Sequence, residues 1–436
     1  MRKIIVFLLS VVLLGGCTSK KETKQNPVSK TQDISLHVEN QHIVDSQGKE
    51  FILKGVSSHG LAWFPQYINK KSFQTLRDEF QVNTIRLAMY TAEDGGYCVS
   101  DNKTELEKLI DQGVQYTKEL GMYVIIDWHI LSDNNPLKYK KEAKDFFERI
   151  SQKYKNEQHI LYEICNEPNG ETTWNDIKTY ANEIIPVIRK NTDNIIVVGT
   201  PTWSQDIDKV VQNPLKQDNI VYALHYYAAT HQDELRQKYI SCVDKIPIFV
   251  SEFGICDASG NGNIDEQSAD EWMRLLDENK TGRVLWNLSN KNETSAIIQS
   301  SCQKTSGWKQ SDLTQSGLWL LKAYTNQKVP VSQKKELKLN IQSKNSWVSQ
   351  NQYYQQYNIS IQNTKQQQYN WTIQLTFNQQ VKVDQSWNCQ VKTNDNVVIL
   401  TPLDYNQTIK QGQTIQDIGL IIKAKKGIKL EKQKIK

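Results

Sequence analysis

The chain has 436 residues, a formal net charge of +5, and 38% apolar against 23% charged residues. This composition is typical of a globular protein and excludes a disordered or fibrous chain. Because a single hydrophobic core rarely extends beyond roughly 250–300 residues, the length predicts one large domain and a smaller one.

The first 33 residues indicate export rather than part of the fold. Two basic residues precede an apolar run over residues 4–14, which is shorter than the roughly 20 residues of a membrane span and predicts a signal peptide over residues 1–16. Cys17 follows two glycines and resembles the lipidated cysteine of bacterial lipoproteins, and the polar residues 17–33 would form a flexible tether. We therefore predict an extracytoplasmic protein that a lipid on Cys17 anchors to a membrane at the cell surface. Ordinary secretion with Cys17 unmodified is the alternative.

Neither the cysteines nor the lysines indicate a metal or nucleic-acid site. The six remaining cysteines show no CxxC spacing, so zinc and redox motifs are unsupported, and we predict no metal and no cofactor. The basic excess lies after residue 330, where 15 lysines accompany six acidic residues along predicted strands. A solvated basic surface is favoured over a site for anionic cell-wall polymers or nucleic acid, and no nucleic-acid partner is predicted.

Eight short apolar runs alternate with segments of helical spacing between residues 34 and 329. The intervening segments, such as 105–120 and 174–189, are amphipathic with a period near 3.6. Eight such units predict an α/β fold, a (β/α)8 TIM barrel over residues 34–329. The runs cover residues 51–58, 84–90, 123–129, 161–167, 195–200, 221–227, 248–253 and 284–288.

Polar side chains accumulate where these runs end. In a barrel of this kind the catalytic groups stand at the C-terminal ends of the strands, so the joint position of these residues predicts an active site there. The residues are Arg86, Asp127, His129, Asn166, Glu167, His225, Tyr227, Glu252 and Trp286.

Two of these residues, Glu167 and Glu252, have the chemistry of a glycosidase pair. A glycosidic bond is cut between two carboxyl groups, of which one protonates the leaving oxygen and the other attacks the anomeric carbon or activates water. Arg86 and Tyr227 are expected to hold Glu252 ionised, while the negative charge of Glu252 keeps the proton on Glu167.

Three neighbours of the pair are expected to support it. Asn166 would hold the 2-hydroxyl of the sugar, a contact that strengthens in the transition state. Glu163, on the same strand face as Cys165 and Glu167 by period 2, is expected to lie deeper in a buried ionic role. Asp127 is expected to orient His129.

Seven sequence blocks occur in order along the predicted barrel. They include Asn-Glu-Pro at 166–168 and Ser-Glu-Phe-Gly at 251–254. From about residue 36 to 328, the chain resembles a glycoside hydrolase family 5 endoglucanase of the bacterial cellulase type. The blocks cover residues 54–61, 84–91, 125–131, 162–170, 225–228, 250–254 and 286–289.

The resemblance implies an endo-β-1,4-glucanase acting on cellulose or related β-glucans with retention of configuration, with carboxyl groups about 5–5.5 Å apart. It implies Glu167 as acid/base and Glu252 as nucleophile, without metal or cofactor. We also predict a monomer. The implied supporting residues are Arg86, His129, Asn166, His225 and Tyr227. The implied sugar contacts are His59, Trp63, Tyr90, Trp203, Trp286, Lys291 and Glu293.

The C-terminal part has a different texture. Gln, Asn, Thr and Tyr alternate with apolar residues at period 2, which predicts an all-β sandwich over residues 337–427, followed by a basic tail over residues 428–436. Blocks at 345–347, 361–364, 370–373, 385–388 and 405–412 resemble a family 2 carbohydrate-binding module. The resemblance implies a cellulose-binding row of Trp347, Trp387 and Tyr405 and a buried Trp371. A different β-sandwich is the alternative.

Two rival functions remain open from the sequence. Another β-1,4-glycanase, such as a mannanase, would use the same acid/base apparatus, although Lys291 and Glu293 favour the cellulase type. A non-catalytic glycan-capture lipoprotein would use the barrel only to hold saccharide, and the two glutamates in full motif context argue against it.

Overall fold

The computed structural model describes residues 33–325, 337–363, 368–369, 371–409 and 412–435. A closed parallel barrel comes first in the chain and antiparallel sheets follow it, so the predicted fold class is confirmed. The predicted signal peptide, Cys17, all but the last residue of the tether, and the domain junction near residue 330 lie outside the described residues.

Eight strands form the barrel, and each predicted apolar run supplies one of them. They are β3 (Lys54–Ser58), β4 (Thr84–Tyr90), β5 (Tyr123–His129), β6 (Ile160–Glu163), β7 (Ile196–Val198), β8 (Ile220–Tyr227), β9 (Ile248–Gly254) and β10 (Arg283–Leu288). They pair in parallel in the order of the chain, and β10 closes the barrel against β3.

Helices cover the outside of the barrel, and the predicted amphipathic segments are among them. Local capping fixes some of their ends: the Thr173 side chain and Asp176 form a reciprocal capping box at the start of the helix after β6. The helices are α1 (Lys70–Phe80), α2 (Lys103–Leu120), α3 (Lys140–Lys153), α4 (Trp174–Arg189), the left-handed turn α5 (Pro201–Ser204), α6 (Ile207–Gln212), α7 (Asp233–Cys242), α8 (Glu266–Glu278) and α9 (Gln315–Thr325), with 3-10 turns at Pro65–Tyr67 and Gln310–Asp312.

Strand β6 is shorter than the sequence predicts. It ends at Glu163, because the chain then turns and the Asn166 N–H donates to the carbonyl of Trp128 on β5. The expectation that Glu163, Cys165 and Glu167 share one strand face is therefore wrong. Glu163 points into the barrel, whereas Cys165 packs in the core between strands and helices.

A short hairpin closes the barrel at the N-terminal ends of its strands. It consists of β1 (Leu36–Glu39) and β2 (His42–Asp45), joined by two residues with positive φ. Its apolar side chains, Leu36 and Ile43, join a buried cluster with inward-facing barrel residues such as Val221. The lower half of the barrel is thus filled with apolar side chains, and the polar residues remain in the upper half.

The C-terminal part contains two four-stranded antiparallel sheets and a small two-stranded one. Apolar residues of both larger sheets form one buried core around Trp371, which is fully buried as predicted. The strands are β11 (Leu337–Ser349), β12 (Gln352–Asn363), β13 (Gln368–Tyr369), β14 (Ile373–Phe377), β15 (Lys382–Trp387), β16 (Gln390–Asn394), β17 (Val397–Thr401), β18 (Thr408–Ile409), β19 (Thr414–Ala424) and β20 (Leu430–Ile435), with a 3-10 turn at Asp404–Asn406. The sheet orders are β11-β12-β19-β15, β16-β17-β14-β20 and β13-β18.

The basic tail predicted over residues 428–436 is part of this fold. Leu430–Ile435 forms the edge strand β20, which pairs with β14 and places Leu430 and Ile435 against the core. The lysines between them are exposed. The prediction of a tail beyond the fold is wrong because the apolar residues at either end of a lysine-rich segment suffice to dock an edge strand.

Deleting residues 428–436 should therefore destabilise the C-terminal sheets by about 2–4 kcal/mol, because three partly buried apolar side chains, Ile428, Leu430 and Ile435, lose their contacts and the edge of β14 is uncovered. Thermal unfolding followed by tryptophan fluorescence measures the loss. The matched control is the double variant Lys432→Ala, Lys434→Ala, which removes exposed charge and keeps the strand. Equal stability of the deletion and the intact chain would contradict the prediction.

Within the described ranges, the six cysteines are free. Among the same residues, the helices are either too short or too polar to cross a bilayer.

Candidate active site

A cavity of about 770 Å³ opens at the C-terminal ends of the barrel strands. Twelve of the predicted site residues line it, and Arg86 and Asn166 lie buried beneath it. The lining residues among them are His59, Trp63, Tyr90, His129, Glu167, Trp203, His225, Tyr227, Glu252, Trp286, Lys291 and Glu293.

Two hydrogen bonds orient the carboxylate of Glu252. Its Oε2 accepts from Arg86 Nη1 at 3.0 Å, and its Oε1 accepts from the Tyr227 hydroxyl at 2.8 Å. Burial raises the pKa of Tyr227 well above its usual value, so the hydroxyl retains its proton and remains a donor. The sequence predicted both partners.

Glu167 lies across the cavity floor from Glu252. One oxygen of each glutamate and one ring nitrogen of His225 lie within 4.8 Å of one another. This nearest approach of single oxygens agrees with the roughly 5–5.5 Å between the two carboxyl groups of a retaining enzyme. The pair therefore has the spacing of a retaining glycosidase.

Burial raises the pKa of Glu167 to about 8, against the opposing effect of Arg86. The sequence predicted that the charge of Glu252 would keep the proton on Glu167. This cause is corrected by the structure, because the main reason for the raised pKa is the burial of Glu167. The Oε1 atom lies 2.9 Å from Nδ1 of His225. Among the described residues, Glu167, His225 and Glu252 are close enough to share a metal ion. Each of them already makes a hydrogen bond within the site, and the two glutamates are the catalytic pair, so we assign no metal site.

Arg86 is the central cation beneath the cavity. It is fully buried, and its guanidinium pairs with Asp127 at 3.0 Å, Glu163 at 2.7 Å and Glu252 at 3.0 Å. Burial lowers the pKa of Arg86, but the three carboxylates outweigh this effect and raise the pKa above its usual value, so Arg86 remains charged. The buried ionic role predicted for Glu163 matches this arrangement.

Asp127 orients His129, as the sequence predicted. The Nδ1 atom of His129 lies 2.6 Å from Asp127 Oδ2, and burial lowers the pKa of His129 well below its usual value. Asn166 donates to Ile130 O at 3.1 Å, lies 3.3 Å from His129 Nε2, and accepts from Arg86 at 2.6 Å. Its predicted contact with a sugar hydroxyl would require one of these bonds to be exchanged.

Aromatic side chains form the walls of the cavity. Trp286 stacks on His129 with ring centroids 5.2 Å apart, and Trp63 packs against Tyr90 at 4.6 Å. Trp63 is 37% and Trp203 45% exposed, so both present ring faces to solvent at the cavity rim. Indole faces of this kind suit the apolar C–H faces of a sugar ring.

Trp203 stands on the left-handed turn α5. Thr202, Trp203 and Ser204 have φ of 57°, 52° and 57°, a conformation that costs roughly 1–2 kcal/mol per residue for side chains with a Cβ. Such strain concentrates at ligand-binding positions. The turn holds the indole at the rim of the cavity.

Three polar side chains meet at one end of the cavity. Lys291 Nζ lies 2.8 Å from Glu293 Oε2 and 3.1 Å from His59 Nε2, and Glu293 Oε1 lies 3.3 Å from the same ring nitrogen. Burial raises the pKa of Glu293, but the hydrogen bonds from His59 and Lys291 outweigh this effect and lower the pKa to about 2. A carboxylate that is held ionised is a strong hydrogen-bond acceptor for sugar hydroxyls.

The C-terminal sheet β11-β12-β19-β15 carries aromatic residues on the face away from its core. Trp347 pairs with Tyr354, and Trp387 pairs with Gly419, which is cross-strand partner to Asn358. Tyr354 and Asn358 have the same parity on β12, so both tryptophans lie on one face.

Two contacts describe this aromatic face further. Trp347 stacks on Tyr354 with centroids 5.2 Å apart, and the indole of Trp387 lies over Gly419, where an added Cβ would come within 1.8 Å of it. The hydroxyl of Tyr405, a 72% exposed residue, donates to Asn388 beside Trp387. The three predicted residues are thus exposed or half-buried, and Tyr354 is an addition that the sequence did not predict.

Residues 44–292 match the family model for cellulase, glycosyl hydrolase family 5. The chain belongs to this family. Residues 338–433 match the model for a cellulose binding domain, and this match extends into β20.

Relatives and solved structures agree with the family 5 assignment. Endoglucanase A of Butyrivibrio fibrisolvens is 47% identical over 290 residues, which are 66% of this chain and 67% of the relative. An endoglucanase of Clostridium saccharobutylicum is 46% identical over 330 residues, 74% of this chain and 72% of the relative. The catalytic domain of Thermobifida fusca endoglucanase Cel5A superposes with a TM-score of 0.63 at 36% identity, covering 66% of this chain and 96% of that one.

Several residues of the family 5 cavity were not predicted from the sequence. His231 lies four residues beyond Tyr227, and its Nδ1 accepts from the Tyr227 N–H at 2.8 Å, while Gln205 follows the strained turn. All follow barrel strands, and their position in β-to-α loops is the signal that could have indicated them. The unpredicted lining residues are Leu131, Thr202, Gln205, His231, Ala258, Ser259 and Gly260.

Proposed function

We propose that this family 5 chain is an endo-β-1,4-glucanase that hydrolyses internal β-1,4-glucosidic bonds of cellulose and related β-glucans. The observation that carries the proposal is the Glu167–Glu252 pair, which brings one oxygen of each carboxyl group within 4.8 Å at the floor of an aromatic-walled cavity. The endoglucanase relatives support the choice of glucan.

The geometry supports a double displacement. Glu167, protonated at rest, donates its proton to the glycosidic oxygen, while Glu252, held by Arg86 and Tyr227, attacks the anomeric carbon from the opposite face. As the glycosyl ester forms, the carboxylate of Glu252 loses its negative charge, and the hydrogen bonds that it accepts from Tyr227 and Arg86 become weaker. Ionised Glu167 next removes a proton from water, which displaces Glu252 and yields the β-anomer.

The proposed activity is tested with the full chain on carboxymethyl cellulose, mannan and xylan, measuring viscosity and reducing ends together. An endo-acting glucanase lowers the viscosity of the cellulose derivative while few reducing ends have appeared, and proton NMR of the products shows the β-anomer first. Faster cleavage of mannan would favour the other β-1,4-glycanase, and binding without hydrolysis would favour a capture protein.

We further propose that the aromatic face of the C-terminal sheets holds the enzyme on cellulose. Trp347→Ala and Trp387→Ala should each weaken binding of the full chain to insoluble cellulose roughly tenfold, or about 1.4 kcal/mol. Hydrolysis of soluble substrate should not change, since the cavity lies in the barrel.

The matched control is Tyr353→Ala, which removes an exposed aromatic residue of the opposite parity on β12. Gly419→Val is a second probe, because its side chain would displace the Trp387 indole while keeping the tryptophan. Depletion from solution by microcrystalline cellulose measures all four variants. Unchanged binding by both tryptophan variants would contradict the assigned face.

Attachment to a membrane is proposed from the sequence alone. Cys17 behind a short apolar run would receive the lipid and place the enzyme outside the cytoplasm at the cell surface. Labelled palmitate should enter the intact protein and not Cys17→Ala, and the variant should appear in the medium. Equal labelling of both would remove this proposal.

A further inference from the structure

A continuous chain of hydrogen bonds runs beneath the cavity from one catalytic glutamate to the other. Glu167 Oε1 lies 2.9 Å from His225 Nδ1, and His225 Nε2 lies 2.9 Å from Ser251 Oγ. Ser251 Oγ then donates to Glu163 Oε1 at 2.7 Å. Through Glu163 Oε2, 2.7 Å from Arg86 Nε, the chain reaches Glu252. We call the part Glu167–His225–Ser251–Glu163 the buried relay.

The hydroxyl of Ser251 decides how protons are arranged in the buried relay. It has one hydrogen and two neighbours, the imidazole and the carboxylate. If the hydrogen points to Glu163, the hydroxyl oxygen accepts from a protonated Nε2, and Nδ1 of His225 can only accept a proton from Glu167. If the hydrogen points to Nε2, then Nδ1 carries the proton and donates to an ionised Glu167.

Arg86 favours the first arrangement. The two arrangements contain the same number of protons and differ in which glutamate is neutral, Glu167 or Glu163. Burial raises the pKa of Glu163, but the guanidinium at 2.7 Å opposes this effect and favours the ionised form of Glu163. Glu167 has no such contact among the described residues, and burial raises its pKa to about 8. The proton therefore resides on Glu167, which is the form required to protonate a leaving group.

We propose that Ser251 and Glu163 are positioning residues that fix His225 as the Nε2–H tautomer, so that its Nδ1 accepts the proton of Glu167. They touch no substrate and act through His225. The inference deepens the proposed function and rests on the role of Glu167 as acid/base.

The relay has consequences for both steps of catalysis. In the first step it keeps Glu167 neutral and directs its proton into the cavity floor until the glycosidic oxygen accepts it. After that transfer the ionised Glu167 faces the lone pair of Nδ1, which makes it a stronger base toward water. Other groups facing Glu167 and His225 are Arg86, Asp127, His129, Tyr90, Tyr227 and Glu252.

Replacing Ser251 with alanine should remove the group that fixes the tautomer of His225. His225 can then place its proton on Nδ1 and donate to ionised Glu167, so the ionised form is stabilised. The alkaline limb of the pH dependence of kcat/KM should move to lower pH by about one unit, the size expected for one hydrogen bond to a charged group. Ser251→Thr keeps a hydroxyl and should restore the limb.

Glu163→Gln provides an isosteric test in the same direction. Arg86 Nε needs an acceptor, so the amide oxygen of the new side chain faces it and the amide nitrogen faces Ser251. The amide nitrogen donates to the Ser251 hydroxyl, and the hydroxyl donates to Nε2 of His225. Nδ1 of His225 then carries the proton and donates to ionised Glu167. The alkaline limb should move to lower pH here too.

Two controls separate positioning from folding. Ser58→Ala removes a buried hydroxyl at the end of β3 that accepts from the Ala88 N–H and lies outside the relay, so its alkaline limb should match that of the original chain. Aryl cellobiosides with good leaving groups need little protonation, so the first step in Ser251→Ala should be nearly as fast as in the original chain. An equal loss of activity of Ser251→Ala on cellulose and on the aryl cellobiosides would indicate a folding defect.

Nitrogen-15 NMR of the full chain gives the deciding readout, because protonated and unprotonated ring nitrogens have widely separated shifts. His225, assigned by comparison with His225→Asn, should show a protonated Nε2 in the original chain and Ser251→Thr, and a protonated Nδ1 in Glu163→Gln. A protonated Nδ1 in the original chain, or an unmoved alkaline limb in Ser251→Ala, would overturn the proposal. The tautomer is measured without substrate, so failure of the proposed glucanase activity would be recognised separately.

Discussion

Glu252→Ala should lose hydrolysis of soluble cellulose by on the order of 10⁵-fold or more, because the carboxylate that forms the glycosyl-enzyme bond is removed. The loss should appear in kcat, while binding of cello-oligosaccharides persists through the aromatic walls and the Lys291–Glu293 end of the cavity. Reducing-end release and isothermal titration calorimetry measure the two quantities. Hydrolysis within tenfold of the original chain would contradict the nucleophile assignment.

The variant also permits a positive test. Removing the carboxylate leaves a space beside Arg86 and Tyr227, which keep one charge and one donor for a small anion. Azide added there should attack the anomeric carbon of an activated aryl cellobioside from the face of the lost carboxylate, expelling the phenol and forming an α-glycosyl azide. Glu252→Gln is the matched control, because its amide fills the space and azide should not restore turnover.

Glu167→Gln should reduce kcat on cellulose by about 10²–10⁴-fold, the range that general acid–base catalysis contributes. Glucose is a poor leaving group and needs the proton, whereas a dinitrophenolate does not. On a dinitrophenyl cellobioside the first step should remain fast and the second slow, so a burst of phenolate should precede a slow steady state. Equal losses on both substrates, without a burst, would contradict the acid/base role.

The same residue sets the alkaline limit of activity. Burial raises the pKa of Glu167 to about 8, and its protonated form is required, so activity should fall as pH rises through about 8. In Glu167→Gln this limb should disappear from the residual activity. A limb that remained would have to be assigned to another group.

The barrel could be predicted from the sequence because its signal is local and repeated. Apolar runs with β-branched residues, separated by amphipathic segments, identify eight strands, and polar residues where the runs end mark the catalytic face. The ends of elements were harder to predict. Strand β6 stops at Glu163 because of a hydrogen bond to β5, and β20 forms because β14 offers an open edge. Both depend on partners far along the chain.

The acid, the nucleophile and their first partners were predicted, but the connection between them was not. Ser251 looked like an ordinary strand residue next to Glu252, and its acceptor Glu163 lies 88 residues earlier. Nothing in the spacing indicates that a serine hydroxyl lies between an imidazole and a carboxylate. The positive φ angles that place Trp203 are likewise invisible in a Thr-Trp-Ser sequence, since these residues do not favour that conformation.

The β1–β2 hairpin determines the side from which the chain enters the enzyme. Leu36 and Ile43 pack against the lower barrel, and Tyr123 at the start of β5 donates to the carbonyl of Ile34, so residue 33 leaves from the end opposite the cavity. A bead, an electrode or a fibre coupled ahead of this point therefore attaches behind the catalytic face. Immobilisation through the N-terminus should leave a passing polysaccharide free access to Glu167 and Glu252.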